Sequence, residues 1–439
     1  MEDYKNSILK VVKEKLCMGC GACAGVCSSS AIEIVFDDNI GQFLPKIDID
    51  SCTDCGVCQT VCPGSDIDFL KLEDEFLSGE GKEDFFLGKF RGIYTGHAVD
   101  KFTRTKAASG GITTQILKTL LAEGKIDGAW VVRPESENWK QPIRFLATTK
   151  QELESAFGSL YQPTTGLGDV FNYMKENPGR YAFVGLPCQI AALRKAQMKF
   201  KFLRERVYLA ISLFCFGCIS TNGTEAYLKW HGISSDEISG PIIYRCGSWP
   251  GSLRVTDRNG KEFLFPKGIG YKYRAAFSTY FYMLRCFSCV DGTGELADIA
   301  CGDPWLPEFS DDREGSNLFI VRSQVGGEVL DLCLQRNEIE CQPIEPSRAV
   351  KSQSGCIEQN MDVHGQEIVL KKFGRTPPVF QRRDTSTHRY GPQLRTRSKQ
   401  FKRLLIGRKK WVWPYLPWIQ LFNDYKRVYM SLLRRLLKL

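Results

Sequence analysis

The sequence predicts an α+β protein in which a small module built around eight cysteines precedes a larger α/β domain. Two observations support this prediction. Eight of the 18 cysteines lie between Cys17 and Cys62, in two copies of one spaced pattern. From about residue 90 onward, short apolar runs typical of buried strands alternate with segments of helical periodicity. A length of 439 residues allows two or three domains with a real core.

The two cysteine runs share one spacing. They read CMGCGACAGVC and CTDCGVCQTVCP, which is C-x2-C-x2-C-x3-C twice, with Pro63 after the second copy. This is the bacterial-type ferredoxin pattern for two 4Fe–4S clusters, in which three cysteines of one run share a cluster with the last cysteine of the other. The first predicted ligand set is Cys17, Cys20, Cys23 and Cys62. The second predicted set is Cys52, Cys55, Cys58 and Cys27.

Zinc and disulfides are the alternatives for these thiols. Zinc sites take two pairs of cysteines set apart, whereas four cysteines lie here within eleven residues. Disulfides need an oxidising compartment, and the charged segment MEDYKNSILKVVKEK does not read as a signal peptide. The longest uncharged aromatic stretch, Trp411 to Phe422, contains two prolines and is too short to span a bilayer. We therefore expect a cytoplasmic protein.

The second domain begins with a predicted strand, Phe90 to Val99, and a turn that starts a helix. The turn is Ser109-Gly110-Gly111, with Ser109 as the predicted N-cap, and the helix runs through ITTQILKTLLAEGK to Gly124. Exposed amides and the helix dipole at such a turn bind anions such as phosphate, and glycine lets the anion approach. A tight turn before an ordinary helix fits the same residues, and no GxGxxG motif accompanies it.

Further cysteines form a candidate third metal site. Cys188 follows the predicted strand RYAFVG at the start of a helix, where a thiolate is favoured, and Cys215 follows the predicted strand VYLAISLF. Neighbouring strands would bring both thiols to one crevice at the carboxyl ends of a sheet. Cys286 and Cys289 form a CxxC pair. Spacing alone leaves open a third 4Fe–4S cluster, a zinc site and scattered buried thiols. The cysteines interpreted as structural are Cys246, Cys301, Cys333, Cys341 and Cys356, and the reserve ligands are Cys218 and Cys301.

The order of these blocks resembles a known family. The twin-cluster module is followed by SGGITTQILKTLL, FVGLPCQIAALRK, LFCFGC and then CFSC with ELADIACGD. This succession resembles the beta subunits of the deazaflavin (coenzyme F-420) dependent hydrogenases and formate dehydrogenases. The plant and bacterial 7-hydroxymethyl chlorophyll a reductases share that architecture. The resemblance covers about residues 15–345 and does not include the tail.

The resemblance implies a flavin, FAD, and an additional 4Fe–4S cluster in the second domain. By position, the extra cysteines of the family match Cys188, Cys215, Cys286 and Cys289. The segment expected near the flavin matches Ser109, Gly110 and Gly111, with Thr113 and Gln189 as neighbours. Cys218 and Cys301 depart from the family pattern, so either is a substitute ligand. The segment Gly302-Asp303-Pro304-Trp305 resembles members outside the hydrogenase group.

The resemblance further implies an oxidoreductase that exchanges hydride at FAD, with coenzyme F-420 or a similar small molecule as the donor or acceptor. Flavins take electrons in pairs and 4Fe–4S clusters take them singly, so the chain would connect the two and serve a redox partner protein or subunit. The alternatives are a ferredoxin-fed reductase of another small molecule, similar to the chlorophyll reductases, and a non-enzymatic electron carrier or docking subunit. No catalytic acid or base is identified, because the four histidines are scattered.

A basic extension ends the chain. From Lys371 to Leu439 it carries 19 Lys and Arg against two acids, a formal charge of +17, whereas the preceding residues sum to −8. Ile419 to Leu439 predicts an amphipathic helix whose apolar stripe is Leu421, Tyr425, Val428, Leu432 and Leu436. We expect peripheral contact with an anionic membrane at its inner surface, or with an acidic partner. Packing on the protein itself is the alternative, and no nucleic acid is expected because no recognition motif accompanies the charge.

Composition divides the chain into four predicted segments. The ferredoxin domain is predicted at residues 1–70, and a charged, glycine-containing linker at 71–89. The flavin and iron–sulfur domain is predicted at 90–345, and the basic extension at 346–439.

Overall fold

The structure is a computed structural model that describes residues 8–79, 81–268, 270–383 and 393–436, with side chains up to residue 430. The first seven residues therefore lie outside the described chain. The predicted stripe positions Leu432 and Leu436 have a described backbone, but their side chains lie outside the description. Within the described ranges, no helix combines the length and the apolar character needed to cross a bilayer.

Short elements surround the cysteine runs in the N-terminal module. Its helices are α1 (Leu9–Lys13), α2 (Ala22–Gly25), α3 (Val57–Thr60) and α4 (Phe69–Phe76), and its strands are β1 (Ile32–Asp37), β2 (Gln42–Ile47), β3 (Asp66–Asp68), β4 (Lys82–Asp84) and β5 (Gly88–Phe90). The two runs fold alike. Gly21 and Gly56 each follow the second cysteine of a run, and their left-handed backbone begins α2 and α3. The β1–β2 hairpin separates the runs.

A mixed sheet of eight described strands forms the centre of the large domain. In chain order, the strands of this domain are β6 (Gly92–Ala98), β7 (Gly128–Arg133), β8 (Ile143–Ala147), β9 (Tyr181–Gly185), β10 (Val207–Leu213), β11 (Ile243–Cys246), β12 (Ser252–Thr256), β13 (Glu262–Pro266), β14 (Ile299–Gly302), β15 (Asn317–Val321) and β16 (Ile339–Pro343). The large sheet has the order β16-β6-β15-β14-β10-β9-β7-β8, and β11–β13 form a separate antiparallel sheet. The strands β14, β10, β9 and β7 run parallel, so their carboxyl ends share one edge.

Helices cover both faces of the large sheet. The helices of this domain are α5 (Lys101–Lys106), α6 (Ile112–Ala122), α7 (Lys150–Ser155), α8 (Leu167–Glu176), α9 (Pro187–Gln197), α10 (Lys201–Arg206), α11 (Thr221–Trp230), α12 (Gly270–Ala276) and α13 (Gln324–Gln335). Of these, α11 and α12 pack with the separate β11–β13 sheet. On one face, Ile116 of α6 and Val329 of α13 belong to one buried cluster. On the other face, Val170 of α8 and Ile190 of α9 pack in a second cluster that includes Phe69 of α4. The N-terminal module therefore contributes to the main core.

The C-terminal extension returns to the body of the protein. It contains α14 (Pro346–Ser352), α15 (Ser354–Met361), α16 (Val363–Lys372), β17 (Val379–Gln381), α17 (Leu394–Gly407) and α18 (Leu416–Leu436). β17 pairs in parallel with β3 of the N-terminal module. The buried Arg397 of α17 donates to Asp362 at 2.7 Å, and Arg274 of α12 pairs with Asp424 of α18 at 2.7 Å. The extension therefore contacts the rest of the protein at β17, α17 and α18.

Glycines allow the N-terminal module to dock closely on the large domain. A Cβ atom at Gly25 of α2 would lie 2.6 Å from the Cα atom of Gly168 in α8. A Cβ atom at Gly41, in the β1–β2 turn, would lie 2.7 Å from the Thr221 hydroxyl of α11. The amide of Thr221 donates to the Gly41 carbonyl at 3.0 Å. Larger residues would therefore separate the two parts of the chain.

Three local details differ from the sequence predictions. The predicted strand Phe90 to Val99 is divided, with β5 ending at Phe90 and β6 beginning at Gly92. Gly111, not Ser109, is the N-cap of α6, because the Ser109 hydroxyl donates to the Ser316 carbonyl instead. The segment 71–89 contains most of α4 and the β4–β5 hairpin, and its Leu72 and Leu87 are buried.

Buried charges join the extension to the core. Glu295 pairs with Arg382 at 3.2 Å and with Arg383 at 2.5 Å, just after β17. Glu73 of α4 lies 3.8 Å from Arg383, and one of its buried carboxylate oxygens has no hydrogen-bond partner within the described residues. Burial, and next the nearby Glu295 carboxylate, raise the pKa of Glu73 to about 7. This group is therefore held partly protonated at neutral pH.

We expect Gly25→Ala to lower the free energy of unfolding by about 1–3 kcal/mol, because the added methyl group overpacks the contact with Gly168. Gly327→Ala in α13 is the matched control, since its Cβ atom would meet only the Arg91 side chain, at 3.6 Å. That control should be neutral or stabilising by up to ~1 kcal/mol. Anaerobic urea denaturation of both variants measures the difference. Equal midpoints for the two variants would contradict the tight-docking interpretation.

We expect the contribution of Glu73 to the free energy of unfolding to fall as the pH rises from about 4.5 to 7. The folded protein holds the Glu73 proton up to about pH 7, whereas an unfolded carboxyl releases it near the ordinary pKa of 4.5, so ionisation costs free energy only in the folded state. Glu73→Gln should remove up to ~3 kcal/mol of that pH dependence. Urea midpoints between pH 5 and 7.5 test this, with the exposed Glu205→Gln as control. An unchanged slope in Glu73→Gln would refute it.

Candidate metal centres

The first predicted ligand set converges inside the N-terminal module. Burial, and next the nearby Cys20 thiol, raise the pKa of Cys62 to about 12. Burial likewise raises the pKa of Cys17, followed by the Cys62 thiol. The amides of Gly19 and Gly64 donate hydrogen bonds to the sulfurs of Cys17 and Cys62, each at 3.3 Å. Amide donors of this kind act on cluster sulfurs and influence the reduction potential.

The second predicted set lies at the surface. Its four cysteines line one small cavity: Cys27, Cys52, Cys55 and Cys58. Cys27 comes from the first run, and the other three come from the second run. Cys55 is exposed, whereas the other three are partly buried. The crossed grouping follows from the hairpin between the runs, which brings the end of one run to the start of the other.

The third candidate set lies at the carboxyl edge of the large sheet. Cys188 is in the first turn of α9, directly after β9, and Cys215 follows β10. β9 and β10 are neighbouring parallel strands, as the sequence predicts. Cys286 and Cys289 lie in and just after the 3-10 helix Leu284–Ser288.

The four thiols of the third set are mutually close. Burial raises the pKa of Cys188, and the thiols of Cys215, Cys289 and Cys286 raise it further. Burial also raises the pKa of Cys215, followed by Cys286 and Cys289. Cys286 has a pKa of about 12 because of burial and then the Cys289 thiol. Every pair of these four thiols therefore interacts.

The two reserve ligands have different surroundings. Cys218 lies beside the third set, and its amide donates to the Cys286 sulfur at 3.3 Å. Its thiol interacts with the thiols of Cys286 and Cys215. Cys301 of β14 instead packs in the core between the sheet and α6, and its pKa is raised to about 12 by burial. The structure therefore gives Cys301 a core position rather than a place beside the third set.

Sequence reasoning missed Cys356, which was interpreted as structural. It lies in α15 of the extension, and its thiol donates to the Cys215 carbonyl at 3.3 Å. Burial raises its pKa, followed by the thiols of Cys289 and Cys215. No spacing rule could have identified it, since it is far along the chain from the other members and has no cysteine nearby in sequence.

The three thiol sets follow one another in space. Cys20 of the first set is among the thiols that raise the pKa of Cys188, after burial and the third set's own members. Similarly, the pKa of Cys23 is raised by burial, then by the other thiols of the first set, and then by the Cys58 thiol of the second set. The first set therefore lies between the other two.

Two cations connect the first set to the third. Lys195 of α9 donates to the Cys62 carbonyl at 2.9 Å. Arg285, the neighbour of Cys286, donates to the Pro63 carbonyl at 3.1 Å. The helix and the loop that carry third-set thiols are thus tied directly to the end of the second cysteine run.

The geometry and chemistry of these sets fit iron–sulfur clusters. All 18 cysteines lie in the described part of the chain and are free thiols. Within that part, no three His, Cys, Asp or Glu side chains converge as they would around one metal ion. Sulfurs bound tetrahedrally to one zinc at ~2.3 Å would lie only about 3.8 Å apart. A cubane binds each thiolate at a separate iron corner and so suits more widely spaced sulfurs.

The predicted flavin residues have protein partners in the structure. A Cβ atom at Gly110 would lie 2.8 Å from both the Asn317 amide nitrogen and the Gly96 carbonyl oxygen, so packing requires this glycine. The Ile112 amide donates to the Asn317 side chain at 3.1 Å. Within the described residues, the following amides of Thr113 and Thr114 have no acceptor. Two free amides at the N-terminus of α6 suit one phosphate group, although glycine is needed there for packing.

Gln189 is fixed by its neighbours. Its side-chain oxygen accepts from the Leu186 amide at 3.0 Å and from Arg144 at 3.1 Å, and its nitrogen donates to the Thr164 hydroxyl at 2.9 Å. It thereby positions the first turn of α9, which carries Cys188. Gln189 lies at the start of α9, whereas Ser109, Gly110, Gly111 and Thr113 surround the start of α6.

Comparison with known proteins identifies three matched regions. Residues 93–171 and 179–347 match the two models described as "Coenzyme F420 hydrogenase/dehydrogenase, beta subunit", N-terminal and C-terminal parts respectively. Residues 16–65 match the model of a 4Fe-4S dicluster domain.

Relatives and a solved structure agree with these matches. The beta subunit of the coenzyme F420 hydrogenase of Methanothermobacter thermautotrophicus is 25% identical over 62% of this chain and 90% of its own length. A subunit of the F(420)H(2) dehydrogenase of Methanosarcina mazei is 25% identical over 76% of this chain and 86% of its own. A chain of the F420-reducing [NiFe] hydrogenase complex from Methanosarcina barkeri, 24% identical, shares the fold with a TM-score of 0.53 over 68% of this chain and 99% of its own.

We expect Cys188→Ser and Cys215→Ser each to lower the iron content by about four atoms per chain, because each removes a ligand of one 4Fe–4S cluster. Anaerobic reconstitution followed by iron and sulfide analysis measures this content. Cys341→Ser is the control, since Cys341 lies on β16 and burial alone raises its pKa. Unchanged iron in both ligand variants, or zinc in place of iron, would contradict the third cluster.

Proposed function

Because this chain belongs to the coenzyme F420 hydrogenase/dehydrogenase beta-subunit family, we propose that it exchanges hydride at bound FAD with coenzyme F420 or a similar small molecule. It is an iron–sulfur oxidoreductase with a 4Fe–4S dicluster domain at residues 16–65. We assign a third 4Fe–4S cluster to Cys188, Cys215, Cys286 and Cys289.

The succession of thiol sets carries this proposal. The third set, at the edge of the large sheet, adjoins the first set through Cys188 and Cys20. The first set adjoins the second through Cys23 and Cys58, and the second reaches the surface at Cys55. Electron carriers bound at the three sets would therefore form a row that runs from the large domain to the solvent-exposed surface.

A bound flavin exchanges electrons in pairs or singly, and 4Fe–4S clusters exchange them singly. The residues of the chain fix where such groups bind and supply countercharge. Arg144 lies beside Cys20 and donates to Gln189 at 3.1 Å. Burial lowers its pKa to about 10, so the guanidinium stays cationic at neutral pH and balances negative charge near the first and third sets.

We propose a redox partner protein at the Cys55 end of the chain. Two relatives are named as subunits, and the solved neighbour belongs to a hydrogenase complex. The exposure of Cys55 supports this position, because short distances between carriers require a partner to approach the outermost ligand set. We also propose a cytoplasmic location, which the absence of disulfides among the 18 cysteines supports.

An aromatic pair favours a second candidate, a ferredoxin-fed reductase of another small molecule. Trp305 follows β14 near the third set's edge of the sheet, and its ring lies 5.2 Å from that of Trp249. Lys267 lies 5.2 Å above the Trp305 ring, and Asp303 is fixed by Arg245 at 2.9 Å. Adjacent indoles tilted by 37° beside a cation would bind an anionic substrate with a planar ring, a class that includes small molecules other than F420.

Anaerobic reduction tests the proposal. Protein reconstituted with iron, sulfide and FAD should show flavin absorbance that bleaches with reduced F420. Cys55→Ala should keep this bleaching but transfer electrons to an external ferredoxin at least tenfold more slowly, because only the outermost set is lost. Cys341→Ser should behave as the parent protein. Absence of flavin bands would overturn the FAD assignment, and equal transfer by Cys55→Ala would overturn the order of the sets.

We propose that α18 and the 3-10 helix before it, Lys410–Tyr415, contact an anionic membrane surface. Large aromatic side chains there are mostly exposed: Trp411, Tyr415, Trp418, Phe422, Tyr425 and Tyr429. Exposed cations accompany them at Lys409, Lys410, Lys426 and Arg427. Exposed aromatic rings beside basic residues are typical of helices that lie in the membrane interface. The pairing of Arg274 with Asp424 holds α18 on the body while leaving these rings free of the core.

Trp418→Ser combined with Phe422→Ser should reduce binding to vesicles of phosphatidylserine and phosphatidylcholine at least tenfold, since two exposed rings are lost. Lys201→Ser, on a different exposed helix, is the control. Vesicle co-sedimentation in low and high salt provides the measurement. Parent protein that stays in the supernatant at low salt would reject membrane contact and favour a protein partner for this surface.

A further inference from the structure

The C-terminal extension contacts the loops that carry the third thiol set. The family match ends at residue 347, and α15 follows it at Ser354–Met361. The buried face of α15 includes Cys356 and Asn360, whereas Glu358 is exposed on the opposite side. The helix α15, which lies outside the region matched by the family model, therefore covers the third thiol set, which lies within that region.

Three side chains of α15 bind backbone groups of the third set. The Cys356 thiol donates to the Cys215 carbonyl at 3.3 Å. The Gln359 amide donates to the Cys286 carbonyl at 3.4 Å. In the amide orientation that satisfies both neighbours, Asn360 donates to the Cys289 carbonyl at 3.2 Å and accepts from the Gly292 amide at 2.6 Å. One helix thus engages three of the four cysteine residues.

The loop after Cys289 is shaped to receive α15. A Cβ atom at Gly292 would lie 1.9 Å from the Cys356 sulfur and, in the same Asn360 orientation, 2.6 Å from the Asn360 side-chain oxygen. Any side chain at position 292 would push the helix away. The Gly292 carbonyl also accepts from the Cys215 amide at 2.9 Å, so this loop and the end of β10 are joined beneath α15.

The strand after the helices reinforces this contact. Arg382, directly after β17, donates to the Val290 carbonyl at 2.5 Å and pairs with Glu295 at 3.2 Å. The loop from Cys289 to Glu295 is therefore held at both ends by the extension. Because β17 also pairs with β3, one segment is anchored to the cysteine module and to the third set.

We propose that α15 is a lid that positions the third thiol set, with Cys356 and Asn360 as positioning residues rather than ligands. This inference rests on the third cluster of the proposed function. Polar groups around a cluster and its access to water set its reduction potential. Water stabilises the more negative reduced state, so loosening the lid should raise the reduction potential of the third cluster and expose its iron.

Asn360→Ala in the full-length, anaerobically purified protein tests the lid. Amide hydrogen exchange at Gly292 should accelerate at least tenfold, because its acceptor is lost. Iron of the third set should leave to a chelator about tenfold faster, while the eight irons of the dicluster domain stay as in the parent. At a fixed potential, the reduced fraction should rise about tenfold relative to the oxidised fraction, equivalent to ~59 mV for one electron. Glu358→Ala on the exposed side of α15 should match the parent protein.

Gly292→Ala tests the same contact from the opposite side. Its methyl group should displace the Cys356 sulfur and reproduce the fast exchange around the third set. Cys356→Ala, which removes that sulfur, should reduce the effect of a further Gly292→Ala substitution, whose remaining effect comes from the contact with Asn360. Parent-like exchange in both Asn360→Ala and Gly292→Ala overturns the lid, and loss of four irons in Cys356→Ala assigns that thiol as a ligand instead. If the parent holds only eight irons, the third cluster fails, while exchange at Gly292 still decides the lid.

Discussion

The glycine contact between α2 and α8 is the constraint on which the arrangement of the thiol sets depends. Gly25 and Gly168 let the two backbones approach, since a Cβ atom at Gly25 would lie 2.6 Å from the Gly168 Cα atom. This approach puts the first cysteine run against the start of α8 in the large domain, where the Leu167 amide donates to the Cys20 carbonyl at 3.0 Å. Electron transfer weakens with distance, so close docking is a condition for the proposed sequence of carriers. Wider spacing would separate Cys20 from Cys188.

Buried charge is concentrated where the extension meets the core. Arg322 is among the largest fully buried side chains and donates to the Leu87 and Thr293 carbonyls at 2.7 and 3.1 Å. Glu295 is paired twice, whereas Glu73 has a raised pKa and one carboxylate oxygen that accepts no hydrogen bond from the described residues. Paired buried charges add little net stability compared with apolar packing, but removing one partner is costly. The network therefore fixes the position of the extension on the core, and it adds little to the net stability of the fold.

The local predictions that succeeded depended on short-range patterns. Four cysteines in a fixed spacing predicted the crossed sets, because the chain between the ligands is too short for many alternatives, and the structure groups those cysteines in the same way. Apolar runs predicted β9 and β10, and the carboxyl edge of neighbouring parallel strands then predicted that Cys188 and Cys215 lie together. The N-cap of α6 was predicted wrongly at Ser109, because a tertiary acceptor, the Ser316 carbonyl, competes for its hydroxyl.

The sequence by itself determined the twin-cluster module, the order of the strand and helix blocks and the family, since each depends on spacing or periodicity within a few dozen residues. Only the tertiary structure decided that Cys301 lies in the core, that Cys356 contacts the third set and that the extension folds back onto both parts. These contacts join residues far apart in the chain. Their partners are chosen by packing and by the need to satisfy buried polar groups, which leave no periodic trace in one sequence.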